Sequence, residues 1–239
     1  MIIGLLEAET LPDKVISSFG SYGDMFKHIL FPLDSSLTFK HYAVDQEQLP
    51  NNIHECDGYI VTGSRHNAYD NTQWIKNLRD FIKEIDSSNK KCLGVCFGQQ
   101  IIAEALGGKT EKSTKGWGIG IQQYSMNNIP RWISTKDTDF SILISHQDQV
   151  SQLPANAKLF ATNNFCTNGG FYIKNHIFTM QGHPEFTKPY LQFLISKRRE
   201  VLGEELAEKA LASLSKSNVG NNFSQWIYDF FSGKDHTTN

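Results

Sequence analysis

The sequence predicts an α/β fold with a mixed, largely parallel central sheet flanked by helices. Three observations point there. Short apolar runs alternate with helical patterns through the first half of the chain, as when crossover helices cover a sheet. From about Trp117 to Gly182 strand patterns follow one another in quick succession, and after Pro184 helical patterns return.

Residues 1–6 are a buried-strand candidate, and residues 37–44 are a second, rich in β-forming side chains. A third, 58–62, ends in Gly63-Ser64. Asp70 or Asn71 is expected to cap the helix that follows, whose Trp74, Ile75, Leu78, Phe81, Ile82 and Ile85 fall on one continuous face. The next strand, 91–95, runs directly into a helix over 96–106, which Gly107-Gly108 stops. The later strands fall at 118–124, 141–145, 157–162, 170–174 and 176–181, an antiparallel or mixed extension whose order the pattern leaves open. Helices are expected near 188–202, 204–213 and 223–231, packed on the main sheet. Phe223, Trp226, Ile227, Phe230 and Phe231 have helical spacing and read as core. Residues 233–239 read as a frayed tail.

At 239 residues, one globular unit spanning 1–239 is expected, closing with a helical segment over 187–232. A chain of this length builds a core without metal or disulfide staples. The 23 Lys and Arg nearly balance 25 Asp and Glu, so there is no electrostatic footprint for nucleic acid or anionic lipid. No run approaches the ~18 apolar residues of a membrane span. The N-terminus carries Glu7 and Glu9 and no basic stretch, and does not read as a signal peptide. Cys56, Cys92, Cys96 and Cys166 are too sparse and irregular for a disulfide framework, which makes the cytoplasm the expected compartment.

Gly94-Val95-Cys96-Phe97-Gly98 places a thiol between two glycines at a strand-to-helix junction, the nucleophile-elbow arrangement. The glycines permit the tight turn. A helix N-terminus favours thiolate over thiol, and its unpaired N–H groups suit an oxyanion. The alternative is a buried cysteine at a strand end. Gln181-Gly182-His183-Pro184-Glu185 also lies between a strand and a helix. There His183 and Glu185 have the residue types that a thiolate needs as acid/base and orienter. Alone, that segment reads as a polar turn; with the elbow it becomes specific.

With these motifs the sequence resembles the class I, triad-type glutamine amidotransferase family, among its free-standing proteins similar to the amidotransferase domain of GMP synthetase. The resemblance covers most of the chain. It rests on Val61-Thr62-Gly63-Ser64, residues 94–100, Leu106-Gly107-Gly108, Lys115-Gly116-Trp117, Ser145-His146-Gln147-Asp148 and His183-Pro184-Glu185. It implies a flavodoxin-like architecture and hydrolysis of a γ-glutamyl amide, with Cys96 as nucleophile, His183 as acid/base and Glu185 as its orienter. The oxyanion would be held by the N–H of Phe97 and by the Gly63-Ser64 loop. Gln100 and Gln147 are carried over as substrate-binding residues.

The sequence departs from the family pattern in three places. The loop reads Thr62-Gly63-Ser64-Arg65-His66 where Ser-Gly-Gly-Pro is common, Gln147 replaces a common glycine, and Gly182 a common aromatic. Arg65 stands near the expected mouth, to pair with a substrate carboxylate or to lie in solvent. Two versions of the reaction stay open: a glutaminase passing ammonia to a separate synthase subunit, and a peptidase cleaving γ-glutamyl peptides such as glutathione conjugates. A non-catalytic module binding a γ-glutamyl metabolite or a partner is a third possibility.

The remaining candidates are weaker. Cys92 and Cys96 lack C-x-x-C spacing, and His54-Glu55-Cys56 reads as the approach to strand three rather than a metal site, so no metal is expected. Ser145, His146 and Asp148 have triad residue types, but triads are assembled from distant segments, so a serine hydrolase centred there is not expected. No phosphate-binding glycine loop is present, and no cofactor is expected.

Overall fold

The computed structural model describes residues 1–216 and 222–236. Positions 217–221 of the expected C-terminal helical segment and 237–239 of the expected tail lie outside the described residues. The strands are β1 (Ile2–Glu7), β2 (Thr38–Ala43), β3 (Gly58–Val61), β4 (Lys91–Val95), β5 (Lys109–Lys112), β6 (Gly118–Met126), β7 (Asp139–His146), β8 (Asp148–Gln152), β9 (Lys158–Thr162), β10 (Gly170–Ile173) and β11 (Ile177–Met180). The helices are α1 (Asp13–Phe19), α2 (Tyr22–Leu30), α3 (Gln73–Ser87), α4 (Phe97–Ala105), α5 (Lys188–Lys197), α6 (Arg199–Leu202), α7 (Glu204–Ser213) and α8 (Phe223–Ser232).

Nine strands form one sheet in the order β2-β1-β3-β4-β11-β10-β9-β6-β7. The half from β2 to β11 is parallel. Beyond β11 every pairing is antiparallel. Every residue of β3 and β11 is buried, as expected of central parallel strands covered on both faces. Ile3, Leu5, Ile60, Leu93 and Phe178 pack beneath Phe26 of α2 and Trp226, Ile227 and Phe230 of α8. On the opposite face Tyr59, Val61 and Cys92 meet Trp74, Ile75, Leu78 and Ile82 of α3 and Ile101 of α4. A third cluster seats Tyr190, Leu191 and Leu194 of α5, with Ala207 and Ala210 of α7, on Ile119, Ile121 and Leu143 of the antiparallel extension.

Several local expectations are corrected. Neither Asp70 nor Asn71 caps α3; its N-cap is Thr72, without a side-chain cap bond. Asp70 instead accepts from the backbone N–H and side-chain amide of Asn67, closing a tight turn before the helix. Helices α1 and α2 fill a stretch for which the sequence reading gave no element. The signal for α2 was present: Ser21 accepts from the Asp24 N–H while Asp24 accepts from the Ser21 N–H, a capping box, and Tyr22, Met25, Phe26 and Leu30 follow on a buried face. The expected helix over 188–202 breaks at Arg198, where α5 ends and α6 begins. Strands β5 and β8 form a separate antiparallel pair that the sequence reading lacked. The expected tail is pinned through residue 236, where the His236 N–H donates to the Arg131 carbonyl and its ring meets Asp229 at 2.8 Å.

This topology positions the chemistry. In the centre of the sheet β3, β4 and β11 run parallel, with Val61 opposite Gly94 and Val95 opposite Met180. Their C-terminal ends therefore release Gly63, Cys96 and His183 at one edge, where ligands of open parallel sheets bind.

Candidate active site

Cys96 is the single residue between β4 and α4, and its backbone sits at φ 54, ψ −107. An L residue reaches positive φ only under strain, so the surrounding structure must hold it there. Its N–H donates to the Met180 carbonyl at 2.8 Å, which ties the corner to β11. The flanking glycines are needed for space. A Cβ on Gly98 would run into the Val61 carbonyl oxygen, and one on Gly94 would lie 2.6 Å from the Gly98 carbonyl oxygen. Only glycine lets α4 start this close to β3. The first N–H groups of α4, beginning with that of Phe97, precede any residue that could accept them within the helix, as at every helix N-terminus. The Phe97 side chain is buried against Trp74.

His183 and Glu185 face each other with Nδ1 and Oε1 2.8 Å apart, both side chains almost wholly buried. Pro184 between them stiffens the corner. The His183 ring stacks on Phe186 at 3.7 Å between centroids and 10° between planes, and the His183 backbone N–H donates to the Leu143 carbonyl, so ring and backbone are both fixed. Burial works against a charged imidazole here. The Glu185 carboxylate and the Cys96 sulfur facing the ring outweigh burial and carry the His183 pKa up to about 9. The second Glu185 oxygen has no hydrogen-bond partner among the described residues, so the carboxylate is held through the oxygen that meets His183.

Gly63 closes the third side. A Cβ placed on it would stand 2.9 Å from His183 Cε1 and 3.8 Å from Cys96 Cβ, so its backbone lies directly against both side chains. Ser64, next in the loop, lines a cavity of about 220 Å³ that also reaches Cys96. The same cavity is lined by Arg65, Gln100, Gln147, Trp117, Ser145, His146 and Arg198. It is smaller than the roughly 300–1,000 Å³ of drug-sized sites and is ringed by polar groups, which suits an amino-acid-sized polar ligand.

The structure brings Ser64, Arg65, Cys96, Gln100 and Gln147 to one cavity; Gly63 and His183 lie against each other beside Cys96 without lining it, and neither Phe97 nor Glu185 lines it. Gln100 and Arg65 hold partners beyond those expected. The Gln100 amide nitrogen donates to the Asp148 carbonyl at 2.8 Å and to Gln181 Oε1 at 3.2 Å, so it braces the 145–148 segment as well as facing the cavity. Arg65 is exposed, its N–H donates to Glu9 Oε2 at 2.9 Å, and its Nε lies 3.6 Å from Glu9 Oε1. The ion pair with Glu9 is a third outcome beside the two left open for Arg65. Several lining residues were not named as site residues from the sequence, His146 and Arg198 among them. His146 is buried and approaches the Asp148 carbonyl through Nδ1 at 3.0 Å. Burial, aided by the charge on His183, drops its pKa to about 4. The cavity thus sets a neutral imidazole near a charged one. Arg198 stands at the α5–α6 break, and no spacing or motif in the sequence distinguishes it.

The other three cysteines are buried away from the cavity. Burial pushes Cys166 up to about 12 and raises Cys56 and Cys92 as well, leaving three protonated thiols inside the core. Among the described residues no group of three His, Cys, Asp or Glu is placed to hold a metal. Nor is any described helix long and apolar enough to cross a membrane.

Comparison with known proteins adds an independent line. Residues 14–192 match the family described as glutamine amidotransferase class-I. The gamma-glutamyl peptidase 4 of Arabidopsis thaliana is 31% identical over 221 residues, covering 88% of this chain and 86% of that protein. The gamma-glutamyl peptidase 3 of the same plant is 33% identical over 186 residues, 74% of each chain. Among solved structures, a glutamine amidotransferase from Thermotoga maritima superposes with a TM-score of 0.75 over 97% of this chain and 95% of that one. At 16% identity that likeness is one of fold.

Proposed function

The chain belongs to the class-I glutamine amidotransferase family, and we propose that it hydrolyses γ-glutamyl amides with Cys96 as nucleophile, His183 as acid and base, and Glu185 as the group that holds the imidazole. One observation carries the reading: a cysteine held at positive φ on a strand-to-helix corner, with a buried His–Glu pair at the end of the adjacent strand. The family and its gamma-glutamyl peptidase relatives support amidohydrolase chemistry.

The steps follow from the groups present. The Cys96 thiolate attacks the amide carbon, and the oxyanion that forms is received by the Phe97 N–H and the Gly63-Ser64 loop. His183 gives its proton to the leaving nitrogen as the C–N bond breaks, which leaves a γ-glutamyl thioester on Cys96 and a neutral imidazole. Water then attacks the thioester while His183 takes its proton. The C–S bond breaks, glutamate departs, and the thiolate–imidazolium pair is restored. With Nδ1 held by Glu185, Nε2 is the nitrogen left to serve sulfur and substrate. Protein groups and water suffice for this cycle. Gln100, Gln147 and Arg65 are the side chains proposed to seat the substrate, residues 1–239 act as one unit, and the cytoplasm suits its free thiol.

Acting on glutamine, the same cycle releases ammonia, which a separate synthase subunit would consume. Acting on a γ-glutamyl peptide, it releases an amine. Two observations favour the peptide version: the peptidase relatives match along most of their own length, and Arg65 and Arg198 line the cavity beyond Cys96. A substrate panel tests the whole reading. The purified chain is expected to hydrolyse γ-glutamyl dipeptides faster than glutamine, and Cys96→Ala neither. Brisk glutamine turnover with negligible dipeptide turnover would reject the peptide version, and a folded protein whose Cys96 resists a glutamine-like chloroketone would reject the mechanism.

A further inference from the structure

Arg198 stands at the junction of α5 and α6, where its N–H is anchored by the Leu194 and Ile195 carbonyls and the chain turns before Arg199. Its side chain runs back to the cavity at Cys96. There the guanidinium lies over the Trp117 ring, 5.2 Å from the centroid, and Nη1 donates to the buried Ser145 hydroxyl. Both partners are neutral. They fix the plane of the cation without balancing its charge, and no carboxylate of the described residues pairs with it. Arg65, across the same lining, already has Glu9.

A part-buried guanidinium held in plane by neutral partners and facing a small polar cavity keeps donors available for an anion. Its planar fork matches a carboxylate through two parallel N–H···O bonds, a geometry that an ammonium does not reproduce. Resting on the γ-glutamyl amide hydrolase reading above, we propose that Arg198 binds a carboxylate of the substrate and thereby fixes which acyl or leaving group the cavity accepts. Trp117 and Ser145 are its positioning residues: one presses on its face, the other takes one donor and leaves the rest of the fork for the ligand. A γ-glutamyl peptide offers two such carboxylates, the α-carboxylate of the glutamyl group and the terminal one of the leaving group. The chemistry is the same for either.

The experiment compares wild type, Arg198→Ala and Arg198→Lys on three substrates: γ-glutamylglycine, γ-glutamylglycinamide and 4-aminobutanoyl-glycine. The first carries both carboxylates, the second only the α-carboxylate, the third only the terminal one. Arg198→Ala is expected to lower kcat/KM about 10- to 100-fold, chiefly through KM, on every substrate that retains the recognised carboxylate. A loss on the first two substrates alone assigns the α-carboxylate, and a loss on the first and third alone assigns the leaving group. Arg198→Lys is expected to recover only part of the loss, since charge returns without the fork. If Arg198→Ala matches wild type on all three, or loses activity equally on all three, the proposal is overturned, because a merely structural role would not follow the carboxylate. Wild-type turnover and Cys96 labelling are read in parallel. If both are absent the hydrolase reading fails, whereas if both are present and the Arg198→Ala pattern is missing only this inference fails.

Discussion

Cys96 differs from Cys56, Cys92 and Cys166 in its backbone before it differs in its surroundings. It alone of the four has positive φ. The corner opposes any Cβ, so the ordinary ranking of small residues should invert there. Both Cys96→Gly and Cys96→Ala are expected to be inactive, but the glycine variant should be the more stable by about 1 kcal/mol in urea unfolding. An alanine variant of equal or higher stability would mean that the corner is unstrained. His183 carries a second expectation. Burial opposes its proton, and Glu185 and Cys96 raise its pKa from 6.5 to about 9. A folded value above the unfolded one means that the stabilisation is complete below pH 6.5 and is lost as pH climbs through about 9. In the proposed mechanism the same deprotonation removes the acid that the leaving group needs, so kcat/KM should fall on an alkaline limb near pH 9. Removing the carboxylate's charge lowers the imidazole pKa, and in Glu185→Gln that limb should move down by about one pH unit or more. A pH–rate profile with an unmoved limb would exclude the pair as the titrating unit.

At the scale of elements, legibility followed how local the cause was. Strand β4 and helix α4 could be read because an apolar run, a glycine-flanked cysteine and the closing Gly107 each leave a mark within a few residues. Helix α2 was equally local, but its capping box, Ser21 with Asp24, follows Gly20 and spans Gly23, and the glycines mask it as loop. The cap of α3 was misread because Asp70 has a competing use, closing the turn with Asn67. Strands β5 and β8 are a different case. Their sequences, Lys-Thr-Glu-Lys and Asp-Gln-Val-Ser-Gln, carry little apolar signal, and they exist because each supplies the other's backbone partners across a long separation. Among site residues the division is the same. Cys96, His183 and Glu185 sit in motifs, whereas Arg198 enters the cavity only because α5 packs on β7 and turns there, a fact of tertiary structure.

For the whole molecule, alternation along the chain foretold a parallel half and an antiparallel extension, while the order β10-β9-β6-β7 depended on pairings that no local pattern encodes. That order places β3, β4 and β11 near the middle of nine strands, away from both open edges. The distance between Cys96 and His183 is consequently set by the spacing of neighbouring hydrogen-bonded strands rather than by loops. Segments that open early on heating are loops and termini, so these central strands are expected to open last. Loss of kcat on warming, read at saturating substrate during brief incubations, is therefore expected to coincide with loss of near-ultraviolet circular dichroism. Inactivation well below that transition would place the weak point in the loops. If the two coincide, the protein has no warm, folded but idle state: heat takes the catalyst and the fold in one step.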